Sequence, residues 1–335
     1  MLARTTSAVA VALLCGVSIR LVLLILPPAF LTDVYYYDVQ AVGYLLRGTD
    51  PYGAVYSVPA SLATAGASQV FAYLPGVFSI LAPTGAIWDP RLGLFICDIL
   101  VAWSLFRLPG GRSGLQSSVY LLLPPTVLFS TWFLNDSLPA IAFLALAVLL
   151  ETRKRPLAAS LLWGISMAAS QEAWFIFPLY AWHSLRNRRF VEVATSLAVA
   201  LILVLPFLLW NTSAFLYDTL GFQFARHASS FISSGPFGMN VNPSLEGLLT
   251  GLGVSLPLAV RAGLVVLALL LILFRMKKSF TSLMLSSTLF VPVGLFLIAG
   301  DFFWSYLELP LVTLLAWSAI KGKEEETDSS DPFKA

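Results

Sequence analysis

The sequence predicts an all-α, polytopic membrane protein of about ten transmembrane helices, some of them broken or re-entrant. Hydrophobic residues make up 58% of the chain and charged residues 11%, well below the charged fraction of soluble domains. The apolar residues form repeated runs of about twenty, which suit helices rather than the shorter alternating strands of an outer-membrane barrel. The net charge of +2, without a basic tract interleaved with aromatics, argues against nucleic-acid binding.

Most candidate spans are continuous apolar segments, and two further segments are interrupted. The continuous segments are residues 7–29, 91–106, 115–134, 136–150, 190–210, 258–274, 280–300 and 302–320. The short run 71–81 ends at Pro83 and Gly85, and the run 157–182 contains the polar pair Gln171-Glu172 at its middle. Because polar residues are costly inside a bilayer, these two segments are predicted to be broken rather than continuous spans.

The domain organisation follows from these spans. We expect a single membrane domain over residues 1–322, with a first outer loop at 30–70 and a long outer loop at 211–257. The acidic residues 323–335 are expected to form a disordered cytoplasmic tail, because they are polar and carry too little apolar surface to fold.

Lysine and arginine clusters predict the orientation, because cytoplasmic loops are enriched in both residues. With these clusters inside, the spans alternate only if residues 71–83 form a half-crossing and residues 157–182 form two halves that meet outside. A non-helical break at membrane depth is tolerated where it lines a cavity, so both breaks predict an outward-facing cavity. The expected location is a prokaryotic plasma membrane with the active site outside, or the endoplasmic reticulum membrane in a eukaryote.

Three charged residues lie within the predicted spans and need partners there. Arg20, Asp98 and Glu308 fall at similar depth, roughly 9–14 Å from the outer ends of their spans at about 1.5 Å per residue. We predict that Arg20 pairs with Asp98, or alternatively with Glu308, as a structural link beneath the cavity.

The polar chemistry is concentrated in the segment Thr32–Tyr52, TDVYYYDVQAVGYLLRGTDPY, directly after the first span. This segment contains three carboxylates, five tyrosines and one arginine in a mostly apolar chain. A polar and acidic loop held against the bilayer surface is where we expect the chemistry of this protein to take place.

Short motifs in this region resemble those of a known family. They are T-D-V-x-Y at Thr32–Tyr36, G-x-x-P-Y at Gly48–Tyr52 and F-x-Y-x-P at Phe71–Pro75. Together they resemble the first outer loop of GT-C glycosyltransferases, in particular polyprenyl-phosphate-mannose-dependent mannosyltransferases. That group includes the catalytic subunit of GPI mannosyltransferase I and the mycobacterial phosphatidylinositol-mannoside enzymes. Asn135-Asp136 at the start of a span and Tyr306-x-x-x-Pro310 in the last span extend the resemblance.

The resemblance implies a GT-C fold and the transfer of a hexose, mannose by resemblance, from a polyprenyl-phosphate donor to a lipid-linked or glycolipid acceptor. It also implies that Asp33 is the catalytic base. The family's D-x-D motif is incomplete because Tyr35 stands two residues after Asp33, and a divalent metal would need a second carboxylate there. We therefore favour a reaction without a metal or other cofactor, with a bound divalent metal as the alternative.

Transfer from a polyprenyl phosphate needs one carboxylate to remove the acceptor proton, because phosphate is already a good leaving group. Glycosidases instead need two facing carboxylates. On a helix, Asp33 and Asp38 would lie about 140° apart, which argues against hydrolysis. In-line attack implies inversion at the anomeric carbon.

Other residues are candidates for substrate binding. Arg226 and His227 could stabilise the departing phosphate, since that step needs positive charge or hydrogen-bond donors. The remaining candidates are acids and tyrosines of the outer side, namely Tyr36, Asp38, Tyr52, Tyr73, Asp136, Glu172 and Asp301. Structural roles are open for the same residues, because acids often cap helices and tyrosines often lie at the membrane interface.

Two other functions are compatible with the sequence. A lipid or lipid-linked-sugar flippase would also contain broken helices and midplane charges, although we find no self-similarity between the two halves. An inactive GT-C-like binding protein would bind the polyprenyl-phosphate sugar without turnover.

Overall fold

The computed structural model describes residues 2–26, 33–59, 70–127, 136–222, 232–235, 238–242, 244–299 and 304–329. The first helices in chain order are α1 (Leu2–Ile25), α2 (Asp33–Leu46), α3 (Gly76–Ile87), α4 (Pro90–Phe106), α5 (Ser113–Leu122), α6 (Pro124–Val127), α7 (Leu138–Thr152) and α8 (Pro156–Ala169). The others are α9 (Gln171–Arg186), α10 (Phe190–Trp210), α11 (Thr212–Leu216), α12 (Leu245–Gly251), α13 (Leu258–Arg275), α14 (Phe280–Ile298) and α15 (Glu308–Ser329).

Helices dominate the described residues, which confirms the predicted all-α class. Within that part of the chain, four helices are long and apolar enough to cross a membrane, namely α1 from Ser7 onward, α10, α13 and α14. Helices α3, α7 and α8 are apolar but shorter. A π-helical turn, Tyr217–Gly221, follows α11, and a 3-10 turn, Trp304–Leu307, precedes α15.

One small element was not expected from the sequence. Strands β1 (Ile232–Gly235) and β2 (Gly238–Val241) form an antiparallel hairpin inside the predicted long outer loop. With four residues in each strand, the hairpin is a local feature of this loop and leaves the helical class unchanged.

The predicted interruption of residues 157–182 is confirmed at Ser170. Its backbone is extended, with φ −145° and ψ 140°, and its hydroxyl accepts the Glu172 backbone N–H at 3.1 Å. Ser170 therefore ends α8 and caps α9. The two helices fold back on each other, since the rings of Trp163 and Tyr180 stack with centroids 4.4 Å apart. Both helix ends at Ser170 consequently face the same end of the bundle.

The short apolar run 71–81 was predicted to end at Pro83 and Gly85, and the structure differs from this prediction. Helix α3 begins at Gly76 and continues through both residues to Ile87. Tertiary packing explains the difference, because α2 lies directly against this part of α3. A Cβ added to Gly85 would be 2.8 Å from Cγ1 of Val42, so the absence of a side chain allows the close approach.

Two other boundaries also differ from the sequence prediction. The expected continuous span 115–134 is interrupted at Leu123, whose ψ is 120°. The residue before a proline is restricted to extended conformations, and Pro124 follows. At the other end of the chain, α15 continues to Ser329, so residues 323–329 are helical rather than disordered.

The interruption before Pro124-Pro125 creates a binding position for a buried arginine. In a continuous helix the carbonyls of Tyr120 and Leu121 would accept N–H groups four residues later, but proline has none. Thr126 Oγ1 donates to the Tyr120 carbonyl instead, and Arg20 Nη1 donates to the Leu121 carbonyl. The prolines thus leave carbonyl groups that hold α1 against α5.

Arg20 also forms the predicted ion pair with Asp98, and both side chains are fully buried. The Tyr120 hydroxyl donates to Asp98 at 2.6 Å and lies 2.8 Å from Glu308. The alternative partner, Glu308, therefore joins the same cluster through Tyr120. The predicted pairing is confirmed, and it links α1, α4, α5 and α15.

We expect Asp98→Ala to destabilise the protein strongly, by about 3–5 kcal/mol, because the buried Arg20 charge loses its partner. The matched control is the double variant Arg20→Met/Asp98→Ala, which should recover part of the loss since no unpaired charge remains. Denaturant unfolding in detergent measures both values. Additive losses in the double variant would contradict the importance of this ion pair.

Candidate active site

Helix α2 presents an acid at its start and a second acid on its packed face. Asp33 is its first residue, half-buried, and its Oδ1 accepts the Val34 backbone N–H at 3.1 Å. A carboxylate is favourable at this helix N-terminus. The buried face consists of residues at helical spacing, namely Tyr37, Asp38, Ala41 and Val42. Packing of this face therefore fixes Asp38 in the interior while Asp33 stays accessible.

Asp89 and Arg91 hold this end of the bundle together. Asp89 Oδ1 accepts the Arg91 backbone N–H at 2.8 Å, and Oδ2 accepts the Tyr35 hydroxyl at 3.2 Å. The two side chains form an ion pair at 2.9 Å. Arg91 Nη1 also donates to the Leu26 carbonyl at 3.1 Å, just after α1. Sequence reasoning missed this connection between α1, α2 and α4, although Asp89-Pro90 before an apolar run is typical of a helix start.

Asp33, Asp38, Tyr73 and Asp136 meet at one place, which we call the acid centre. Asp38 is 0% exposed and Asp136 is 6% exposed, and their carboxyl groups are within hydrogen-bonding range of each other. The Tyr73 hydroxyl donates to Asp136, and the Asp33 charge acts on both of these residues. The structure thus brings together four candidates from three separate segments of the sequence.

Burial dominates the electrostatics of the acid centre. It raises the pKa of Asp38 to about 7, the nearby Asp89 charge adds to the rise, and the hydrogen bond to Asp136 opposes it. Burial, and after it the Asp38 charge, raises the pKa of Asp136 well above its ordinary value. Ionising both carboxyl groups together is therefore costly, as expected for two acids that share one buried site.

The break between α8 and α9 supports the acid centre from one side. Glu172, in the first turn of α9, is 6% exposed, and its Oε1 accepts the hydroxyl of Ser137 at 2.6 Å. Gln171 Nε2 donates to the Ala72 carbonyl at 2.8 Å, next to Tyr73. The polar pair that predicted the break therefore positions the segments on either side of the acid centre.

Tyr52 is buried, whereas contact with a substrate would require an accessible side chain. It is 1% exposed, and its hydroxyl donates to the Tyr73 carbonyl at 2.9 Å. Its ring packs among aromatic rings with centroids 4.8 to 6.3 Å away, those of Phe71, Phe78, Phe207 and Phe215. Tyr52 therefore supports Tyr73 from below. Tyr36 is half-buried, and its backbone carbonyl accepts the Gln40 side chain at 2.8 Å.

Asp218 is a further residue that sequence reasoning did not select. Its Oδ2 accepts the Gly53 backbone N–H at 2.9 Å, which ties the π-helical turn to the first loop. Gly53 has φ +73°, a conformation that favours glycine. Burial raises the pKa of Asp218, and the Gly53 hydrogen bond opposes that rise.

Three predicted site residues, Arg226, His227 and Asp301, lie outside the described residues. Two described cations near the predicted outer loops form ion pairs, Arg91 with Asp89 and Arg261 with Glu246 at 3.3 Å. Arg47, in the first outer loop, lies 5.2 Å from the centroid of the Tyr44 ring. No group of three or more His, Cys, Asp or Glu side chains is arranged to hold a metal ion within the part of the chain that the structure describes.

The start of α3 depends on a close backbone contact beside the acid centre. A Cβ added to Gly76 would lie 2.6 Å from the Ala168 carbonyl oxygen at the end of α8. We expect Gly76→Ala to reduce the free energy of unfolding by about 1–3 kcal/mol, because this backbone contact cannot relax easily. The matched control is Gly263→Ala in α13, where nothing lies within 4 Å of an added Cβ. Equal thermal stability of the two variants would contradict the tight contact.

Comparison with known proteins supports the fold. The chain is similar to the crystal structure of apo ArnT from Cupriavidus metallidurans, with a TM-score of 0.55 and 13% identity. The alignment covers 95% of this chain and 60% of ArnT, so the chain spans well under the full length of that protein. No family model matches, and no curated protein matches in sequence. The structural likeness shows that this integral membrane chain shares the fold of ArnT.

Proposed function

We propose that the chain is an inverting glycosyltransferase that moves a hexose from a polyprenyl-phosphate carrier to a lipid-linked or glycolipid acceptor. The acid centre is the observation that supports this proposal most. It places one accessible carboxylate beside two buried acids and a tyrosine, at the broken-helix end of a GT-C fold. Mannose is the proposed hexose because the loop motifs resemble mannose-dependent enzymes.

Asp33 is the proposed catalytic base. A base must reach the proton of a bound substrate, and Asp33 is half-buried, whereas Asp38 and Asp136 are 0% and 6% exposed. Its position at the start of α2 keeps the carboxylate at the rim of the acid centre. The packing of α2 against α3 keeps that position fixed.

The proposed reaction is a single displacement. The acceptor hydroxyl oxygen attacks the anomeric carbon while Asp33 takes the hydroxyl proton. The bond between the anomeric carbon and the phosphate oxygen breaks, and polyprenyl phosphate leaves with the electron pair. Attack opposite to the leaving group inverts the anomeric centre, so a β-linked donor gives an α-linked product.

The other candidates have proposed supporting roles. Arg226 and His227 neutralise the departing phosphate, a proposal that rests on their side-chain chemistry and their place in the long loop. Tyr36 and Tyr73 line the path of sugar or acceptor. Asp301 is the proposed acid for binding a substrate hydroxyl group. The buried Asp136 and Glu172 are proposed to hold the segments around the acid centre in place.

The proposed orientation places the acid centre on the outer side of the membrane. The loops Arg153–Arg155 and Arg186–Arg189 join helices at the end of the bundle away from the Ser170 break. Because basic loops favour the cytoplasmic side, that end is proposed to face inward.

Sugar transfer in reconstituted membranes tests this proposal. Radiolabelled polyprenyl-phosphate mannose and total native lipid extract serve as donor and acceptor source. We expect Asp33→Asn and Asp33→Ala to reduce transfer by about 10²–10⁴-fold, since a general base contributes about that much. Transfer by the wild type should be unaffected by EDTA, because no metal takes part in the proposed reaction.

Asp50→Asn is the matched control for this experiment. Asp50 lies in the same loop, and its Oδ1 accepts the Tyr52 backbone N–H at 3.0 Å, an interaction that asparagine can also make. This variant should keep wild-type transfer. Full transfer by Asp33→Asn would rule out the base assignment. Wild-type inactivity with both mannose and glucose donors, but retained donor binding, would favour a binding protein.

A further inference from the structure

Asp38 is an unusual carboxyl group because it is fully buried without an ordinary hydrogen-bond donor. It is 0% exposed, and neither of its oxygens receives an N–H or O–H group from the described residues. Oδ1 of Asp136 is also buried and receives no hydrogen bond from the described residues. An isolated buried carboxylate would cost several kcal/mol, so the folded protein must neutralise this pair in another way.

The direct neighbour of Asp38 is the Asp136 carboxyl group, within hydrogen-bonding range. Between two carboxyl groups, a hydrogen bond forms only if one of them carries a proton. The titratable and charged groups around the pair are Asp33, Tyr56, Tyr73, Asp89 and Arg91. Arg91 is already paired with Asp89, and among the described residues neither Asp38 nor Asp136 forms an ion pair with a lysine or arginine.

We propose that Asp38 and Asp136 share one proton, and that this carboxyl–carboxylate hydrogen bond positions Asp33 by fixing α2 against the start of α7. Asp38 is thus a positioning residue that acts through Asp136 and through the placement of its own helix. The functional part of this inference rests on the proposed glycosyl transfer. The proton sharing itself does not.

The geometry explains why loss of the proton would affect the site. Asp33 and Asp38 belong to the same helix, and Tyr73 donates to the Asp136 carboxyl group from the other side. Two ionised carboxylates within hydrogen-bonding range of each other repel strongly in a buried site. Separation of Asp38 from Asp136 would displace α2, and Asp33 with it.

The expected pH dependence follows from the raised pKa values of both acids. An unfolded chain releases protons from aspartates near pH 4, whereas the folded pair, in which burial raises the pKa of both acids, keeps a proton to higher pH. The folded state therefore binds more protons in this range, so its stability falls as the pH rises. Asp38→Asn replaces one of the two carboxyl groups that share the proton with an amide that donates to Asp136 at any pH.

The experiment measures the thermal stability of the full-length protein in nanodiscs from pH 5 to pH 9, a range of roughly two units either side of the Asp38 pKa. We expect the wild-type midpoint to fall with rising pH and the Asp38→Asn midpoint to change much less. Infrared difference spectra between the two proteins at acid pH should contain the band of one protonated carboxyl group. Asp50→Asn is the matched control and should keep the wild-type pH slope.

Sugar transfer provides a separate measurement of positioning. Asp38→Ala should reduce transfer by about 100-fold, as expected when a reacting group is displaced by about 1 Å. We expect wild-type transfer to decline at alkaline pH, where the pair loses its proton. Asp38→Asn should restore much of the transfer that Asp38→Ala loses, and its transfer should not decline at alkaline pH. If Asp38→Asn keeps the wild-type pH slope and carboxyl band while transfer persists, the inference is wrong and the proposed function stands.

Two other outcomes separate the remaining possibilities. Inactivity of the wild type would overturn the proposed function, while the stability slope and the infrared band would still support the shared proton. A stoichiometric divalent metal in the purified protein, together with no protonated-carboxyl band, would overturn the shared proton in favour of a bound cation.

Discussion

The buried ion pair between Arg20 and Asp98 is the interaction on which the packing of α1, α4 and α5 depends. A guanidinium group in a membrane helix must have its charge and its donors satisfied inside the protein. Asp98 supplies the charge, and the Leu121 carbonyl, which Pro124-Pro125 leave free, accepts one donor. Since these partners belong to different helices, satisfying one side chain sets the positions of α1, α4 and α5 together.

In the acid centre, the proposed shared proton has the role that a cation has in the Arg20 cluster. Breaks in the helices bring polar groups to the end of the bundle, where Glu172 binds Ser137 and Gln171 binds the backbone at Ala72. Each break is local, yet each supplies a contact to a different segment. A broken helix therefore serves here to position side chains, in agreement with the rule that irregular backbone within membranes lines a cavity or packs against protein.

Sequence patterns predicted the depth of the charged residues and the positions of helix breaks. They did not predict which sides of the helices face each other. The common depth of Arg20, Asp98 and Glu308 followed from counting residues, and the break at Ser170 followed from a polar pair in an apolar run. The pairing of Asp38 with Asp136 could not be predicted, because hydropathy does not give the rotation of one helix relative to another. The close contact that lets α3 continue past Gly85 depends on α2 and was missed for the same reason.

The selection of Tyr52 as a candidate for substrate binding did not take account of the packing around its ring. A tyrosine in a motif can contact a substrate or fill a core, and only the surrounding rings distinguish the two. In the structure Tyr52 is buried among phenylalanines and donates to the carbonyl of Tyr73. Asp33 and Tyr73 were correctly placed in the same region by their motifs, although their contact with Asp136 required the fold.

The most direct test of the account is a cryo-electron microscopy structure in lipid nanodiscs with a non-transferable polyprenyl-phosphate hexose analogue. Hexose density is expected at the acid centre, with the anomeric carbon accessible to a hydroxyl that contacts Asp33. Sugar-phosphate density at the opposite end of the bundle, beside Arg153–Arg155, would contradict the assignment of the acid centre as the transfer site.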